Sequence, residues 1–204
     1  MKGLKSALCA ALWVAASAQA QNSSKAEAEA VVRAVHVCAA CHGEGGRSTK
    51  KEYPALAAQM REYTIRQLKD FRSQARAETD IQAYMWGISA LLNDDTIEGL
   101  ADYYAQQAPA PGRSTRPKLE AAGRRIFTDG VESLGVRACA SCHGDNGEGE
   151  AGFPRLAGLS ADYVVRQMRA FRTPLRKHGA VMKKGTKDLS DAQIKAVAAY
   201  VASR

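Results

Sequence analysis

Cys38-Ala39-Ala40-Cys41-His42 is the stretch that decides this chain, and its pattern returns at Cys139-Ala140-Ser141-Cys142-His143, 101 residues later. C-x-x-C-H is the spacing of covalent c-type haem attachment. Two thiols one helical turn apart point the same way, so each can add to a vinyl group of one haem. The adjacent histidine then supplies the proximal nitrogen to the iron. C-x-x-C also serves zinc sites and thiol redox centres. Here both copies carry the histidine, and a glycine-rich segment follows each, GEGGRS after His42 and GDNGEG after His143.

The cysteine count agrees with that reading. Lys2 and Lys5 precede a short apolar run, LCAALWVAA, which ends near Ala18-Gln19-Ala20. That is the layout of a cleavable secretory signal, and the run is too short to span a bilayer. Residues 1–20 are therefore expected to be a signal peptide, with the mature chain exported to the periplasm. The remaining cysteines, Cys38, Cys41, Cys139 and Cys142, all lie in the two motifs. Disulfides across a single helical turn would staple almost nothing. A zinc ribbon would place its cysteine pairs about 15–20 residues apart, far closer than these pairs lie.

The motif is part of a longer repeat. Pro54, Leu56, Ala57, Tyr63, Arg66, Gln67, Phe71 and Arg72 have counterparts at Pro154, Leu156, Ala157, Tyr163, Arg166, Gln167, Phe171 and Arg172. Between the copies, Gln106 to Arg116 reads QQAPAPGRSTR and is followed by Pro117, which marks a linker. The expected organisation is two similar helical domains, 21–107 and 117–204, joined by 108–116.

Within each domain the periodicity predicts a leading helix (Ala26 to Val37, and Lys118 to Thr128), an amphipathic middle helix and a closing helix. The middle helices are Met60 to Ser73 and Tyr163 to Phe171. The first closing helix is expected over Thr96 to Gln107, with Tyr103 packing back toward the first helix and Tyr200 as its counterpart. Leu92-Asn93-Asp94-Asp95 and Ser190-Asp191 read as helix starts. A metal-bound histidine donates its second ring N–H to an acceptor, for which a carbonyl near Pro54 is the candidate.

A closed haem also needs a sixth ligand, and a thioether is the usual partner of histidine in electron-transfer cytochromes. Met85, in a stretch that reads as a loop, lies seven residues before Leu92, and Met182 lies seven before Leu189. That shared register favours Met85 and Met182. Met60 competes with Met85 but faces Ser160 in the other copy, and His178 competes with Met182 but has no first-half equivalent. His36 reads as a surface or packing histidine, and Met168 as core.

Laid out this way, the chain resembles the dihaem cytochrome c4 family, two fused class I c-type cytochromes, over essentially all of its mature length. C-x-x-C-H twice, PALAAQ and FPRLAG, Y-x-x-x-Q twice and M-x6-L twice carry the resemblance. It implies an all-α fold of two tandem class I cytochrome c domains, each wrapped around one covalently attached haem. It implies iron ligands His42 and Met85 in the first domain, and His143 and Met182 in the second. Its proline-carbonyl contact to the proximal histidine falls on Pro54 and Pro154. The first domain departs from the family by lacking a glycine in its leading helix, where Ala30 and Val31 stand opposite Gly123. It departs again at Ala58, where the second has Gly158.

Charge is uneven. Residues 21–110 carry 10 basic and 12 acidic side chains, whereas 111–204 carry 17 basic and 9 acidic. Such a dipole orients docking with charged redox partners, and Arg155 and Arg166 are candidates to pair with haem propionates. Nucleic acid is not an expected partner of an exported haem protein despite the basic pI of 9.4. The expected function is a periplasmic electron carrier between a respiratory donor complex and an acceptor such as a terminal oxidase. It is not expected to be an enzyme, with intrinsic peroxidase or thiosulfate dehydrogenase activity the minor alternative. The alternative role is an electron-accepting subunit of a periplasmic dehydrogenase oxidising sulfide or an alcohol. No transmembrane segment follows residue 20, and peripheral membrane association stays open.

Overall fold

The computed structural model describes residues 24–77, 80–114 and 116–204, so the expected signal peptide at 1–20 lies outside the described residues. Helices dominate, and among the described residues the only β pairing consists of isolated bridges. The first half contains α1 (24–42), α2 (Arg61–Arg72), α3 (Asp80–Ala90) and α4 (Asp94–Ala105). The second contains α5 (Pro117–Asp129), α6 (Ala140–His143), α7 (Ala161–Ala170), α8 (Ala180–Thr186) and α9 (Asp191–Ala202). No described helix is long and apolar enough to cross a membrane.

The helix starts follow the predicted chemistry. The Asn93 side chain accepts a hydrogen bond from the Thr96 N–H at 2.8 Å, which satisfies an otherwise orphaned donor. Ser190 and Gln193 form a reciprocal capping box at the head of α9. Two expectations need correction. Helix α1 continues unbroken through Cys38 and Cys41 to His42, whereas the second leading helix stops at Asp129 and the haem motif restarts as α6. The stretch holding Met85 is helical, not a loop, and the stretch holding Met182 is helical too. Their apolar residues follow no clean helical period, so tertiary contact rather than amphipathicity holds them in helix.

The glycine missing from the first leading helix has moved to its partner. In the second domain Gly123 of α5 lies against α9, and a Cβ there would sit 2.0 Å from the Ala196 carbonyl oxygen. In the first domain the small residue is Gly99 of α4, the repeat counterpart of Ala196, and a Cβ there would meet Val31 Cγ2 at 2.4 Å. Both helix pairs thus approach closely, but the glycine is supplied from opposite sides. Phe127, Ile194 and Val201 form the driest part of the second core, and Ile97, Leu100 and Tyr104 that of the first. Tyr104, not Tyr103, is the buried tyrosine of α4; Tyr103 is half-buried, its ring edge-on to Tyr104 at 5.1 Å. Tyr200 packs on Phe127 at 5.2 Å.

The two halves are bonded to each other through repeat-related residues. Arg76 and Arg176 face one another in an antiparallel bridge, reinforced by the Ala77 N–H to the Leu175 carbonyl at 2.8 Å. The Arg76 guanidinium donates to Gln67 Oε1 at 2.8 Å and to Gln167 Oε1 at 3.1 Å. Arg176 donates to the same two oxygens, at 2.9 Å for Gln67. Each guanidinium also lies over its own domain's phenylalanine, Phe71 at 4.4 Å and Phe171 at 4.3 Å. The segment between α4 and α5 packs too: Ala110 is buried, and the Arg113 N–H donates to the Ala202 carbonyl at 2.6 Å.

Candidate haem sites

A cavity of about 1330 Å³ runs between the helices, and Cys38, Cys41, His42 and Met85 line it together with Cys139, Cys142, His143 and Met182. A pocket for one small ligand holds about 300–1,000 Å³, so this space exceeds a single-ligand site. All eight residues singled out in the sequence therefore meet in one place. Met60, at the head of α2, is not on the lining. Met168 is buried core that also reaches the wall.

The histidines are fixed alike. His42 Nδ1 lies 2.8 Å from the Pro54 carbonyl oxygen, and His143 Nδ1 lies 2.9 Å from that of Pro154. Donation from Nδ1–H to a carbonyl sets the tautomer and leaves Nε2 unprotonated, as a metal ligand must be. Burial holds both imidazoles below the usual histidine pKa, opposed by those carbonyl bonds, with Arg76 adding a further downward push on His42. Burial also raises the Cys38 thiol and lifts Cys139 to about 11. All four motif cysteines are outside any disulfide.

The arginines test the fit to a dicarboxylate ring. Arg155 lines the cavity, its Nε is buried with no hydrogen-bond partner, and burial pulls its pKa down. A buried guanidinium nitrogen left open toward an apolar space suits a carboxylate brought by the ligand. Arg166 is different. Its Nη2 donates to the Glu52 carbonyl of the other domain at 2.7 Å, and it does not line the cavity, although its Nε is likewise buried and unpartnered. His178 is exposed and its Nδ1 lies 2.8 Å from Asp70 Oδ1 across the domain boundary. His36 is exposed.

Three side chains escaped the sequence reading. Tyr104 lines the first half of the cavity, and burial pushes its phenol pKa up. The Trp86 indole donates to the Arg76 carbonyl at 2.8 Å and ties α3 to the domain junction. Arg76, only 5% exposed, is the junction's centre. A tryptophan beside the repeat methionine was the available signal for the second; the others needed three dimensions.

The cytochrome c family profile matches residues 19–107 and 120–204. The crystal structure of reduced recombinant cytochrome c4 from Pseudomonas stutzeri superposes with a TM-score of 0.78 at 32% identity, covering 86% of this chain and 97% of that one. The chain belongs to the dihaem cytochrome c4 family. Cytochrome c4 of Thiocapsa roseopersicina is 38% identical over 170 residues, 81% of this chain and 85% of its own length. A thiosulfate dehydrogenase electron acceptor from Thiomonas intermedia is 46% identical over 174 residues, 82% of this chain and 78% of its own. As a family member the chain is an all-α electron-transfer protein of two cytochrome c domains, and its two C-x-x-C-H motifs attach two haem c groups covalently.

Proposed function

We propose that the protein is a periplasmic carrier that passes single electrons from a respiratory donor to an acceptor such as a terminal oxidase. His42 and Met85 would hold the haem iron of the first domain, and His143 and Met182 that of the second. Residues 1–20 are its export signal, and 108–116 join domains 21–107 and 117–204. Haem, when bound, supplies the one-electron ferric–ferrous couple. The chain's part is to keep each imidazole in one tautomer through Pro54 and Pro154, and to present a thioether from α3 or α8 to the same cavity. It also walls that cavity with apolar side chains. A thioether on the iron would favour the reduced state, and exclusion of water would lower the reorganisation that accompanies each electron.

The observation that supports this reading most is the pairing, in both halves, of a carbonyl-anchored histidine with a cavity-lining methionine. With Met85 and Met182 on the iron no position would be open to substrate, which speaks against intrinsic peroxidase or thiosulfate turnover.

A second reading has one observation in its favour. The Thiomonas relative is named as an electron acceptor for thiosulfate dehydrogenase, so the donor of this chain is also proposed to be a periplasmic dehydrogenase. Size-exclusion chromatography of a native periplasmic extract, followed by haem absorbance, separates the two. A freely diffusing carrier elutes at monomer mass, and a subunit elutes with a larger chain whose substrate then identifies the donor. Peroxide or thiosulfate turnover by the purified holoprotein alone contradicts both.

A further inference from the structure

The duplication places the same surface on the protein twice, and the two copies have diverged in charge. Aligned on their methionines, Tyr84, Trp86, Gly87, Ala90 and Leu91 of the first domain correspond to Val181, Lys183, Lys184, Lys187 and Asp188 of the second. Residues 81–92 contain no charged side chain, whereas their counterparts 178–189 contain Lys183, Lys184, Lys187 and a single acid, Asp188, with Arg176 and Lys177 just before them. Both segments end at the edge of the haem cavity. Tyr84 and Leu91, 74% and 84% exposed, rim it on the first domain, and Val181, 69% exposed, rims it on the second beside Lys177, Lys184 and Arg137. Lys183, on the same short helix, and Lys187, at its C-cap, are exposed but off the cavity lining, and Lys187 has Asp188 at 3.4 Å.

We propose that Lys177, Lys184 and Arg137, which share the cavity edge with Val181, form with the neighbouring Lys183 and Lys187 a docking face for a redox protein whose own contact patch is rich in carboxylates. The equivalent apolar face of the first domain does not take that partner. This rests on the carrier function proposed above and adds where one partner binds and what chemistry it presents. The apolar Val181 excludes water at the point of closest approach, while the cationic groups steer the encounter and set its orientation. A charged membrane could attract the same lysines, but it brings no redox centre to the cavity edge. Division of labour follows: electrons leave or enter at the second domain under electrostatic control, and the first domain exchanges with a partner that does not depend on charge.

The test uses the reduced dihaem holoprotein, oxidised by hexacyanoferrate(III) in a stopped-flow instrument at increasing ionic strength, with poly-L-glutamate as a redox-inert competitor. K183E/K184E/K187E is compared with R124E/R125E/K195E, which changes the net charge equally at exposed positions elsewhere on the second domain. Oxidation of the first variant is expected to slow by about tenfold at low salt and to lose most of its salt dependence. Poly-L-glutamate should inhibit wild type and control but not that variant. Equal slowing of both variants would reduce the effect to net charge and overturn the proposal. So would a wild-type rate in the first variant. Binding to anionic phospholipid vesicles that the variant loses, without any effect of poly-L-glutamate, would make the face a membrane contact and overturn it too. Failure of the carrier reading looks different, since no form would then exchange electrons with hexacyanoferrate in either direction.

Discussion

Ala58 holds its backbone at φ +56°, in the left-handed region, where the second copy has Gly158 at φ +80°. Its N–H donates to the Tyr104 carbonyl at 2.8 Å, so the conformation is required by the close of the first domain. A residue with a Cβ costs roughly 1–2 kcal/mol there, and glycine gives back part of that through unfolded-state entropy of about 0.5–1 kcal/mol. Ala58→Gly should therefore stabilise the first domain by about 0.5–1 kcal/mol, read as a higher denaturation midpoint; a lower midpoint contradicts this. At this scale the sequence was informative wherever chemistry demands a residue type at a spacing. The motif cysteines and histidines, the two prolines and the repeat methionines all reach the cavity. It was uninformative for Tyr104 and Arg76, because nothing local distinguishes a tyrosine from its neighbour Tyr103, or one arginine from the nine other basic residues of 21–110.

Helix ends were legible because Asn93 and Ser190 carry their own capping chemistry. Helix α3 was not, because Ala83-Tyr84-Met85-Trp86-Gly87-Ile88 has no polar face to set a helical period. The exchange of the small residue between helices was hidden for another reason: close approach needs a glycine on either partner, and sequence alone does not say which. The two contacts differ in hardness. A Cβ at Gly123 meets a backbone carbonyl, whereas one at Gly99 meets the tip of a valine side chain. Gly123→Ala should cost about 1–3 kcal/mol by forcing α5 and α9 apart. Gly99→Ala should cost less, because Val31 can rotate. Thermal unfolding of the two variants gives the order, and a larger loss in Gly99→Ala would show that the first helix pair is the more rigid.

The whole molecule is two copies joined by residues that the repeat made equivalent. Gln67 and Gln167 look like ordinary core-facing positions of amphipathic helices, yet they accept from both junction arginines. Domain count was readable from the repeat, but the docking of the copies was not, since no period encodes an interface between two folded units. Arg76→Ala removes a buried guanidinium from Gln67, Gln167 and the Tyr163 hydroxyl, which it reaches at 3.0 Å. A loss of about 1.5–3 kcal/mol is expected, and it falls on the junction. In calorimetry, the variant should show two separated unfolding transitions where wild type shows one. An unchanged single transition would mean that the domains are held elsewhere.

Each domain is proposed to close its haem with its own histidine and methionine. Absorbance of the ferric holoprotein in the far red, where methionine-ligated ferric haem c has a weak band, tests it most directly. Met85→Ala and Met182→Ala should each remove about half of the band, the double variant all of it, and Met60→Ala none. Persistence of the full band in Met85→Ala, or its loss in Met60→Ala, would contradict the assignment.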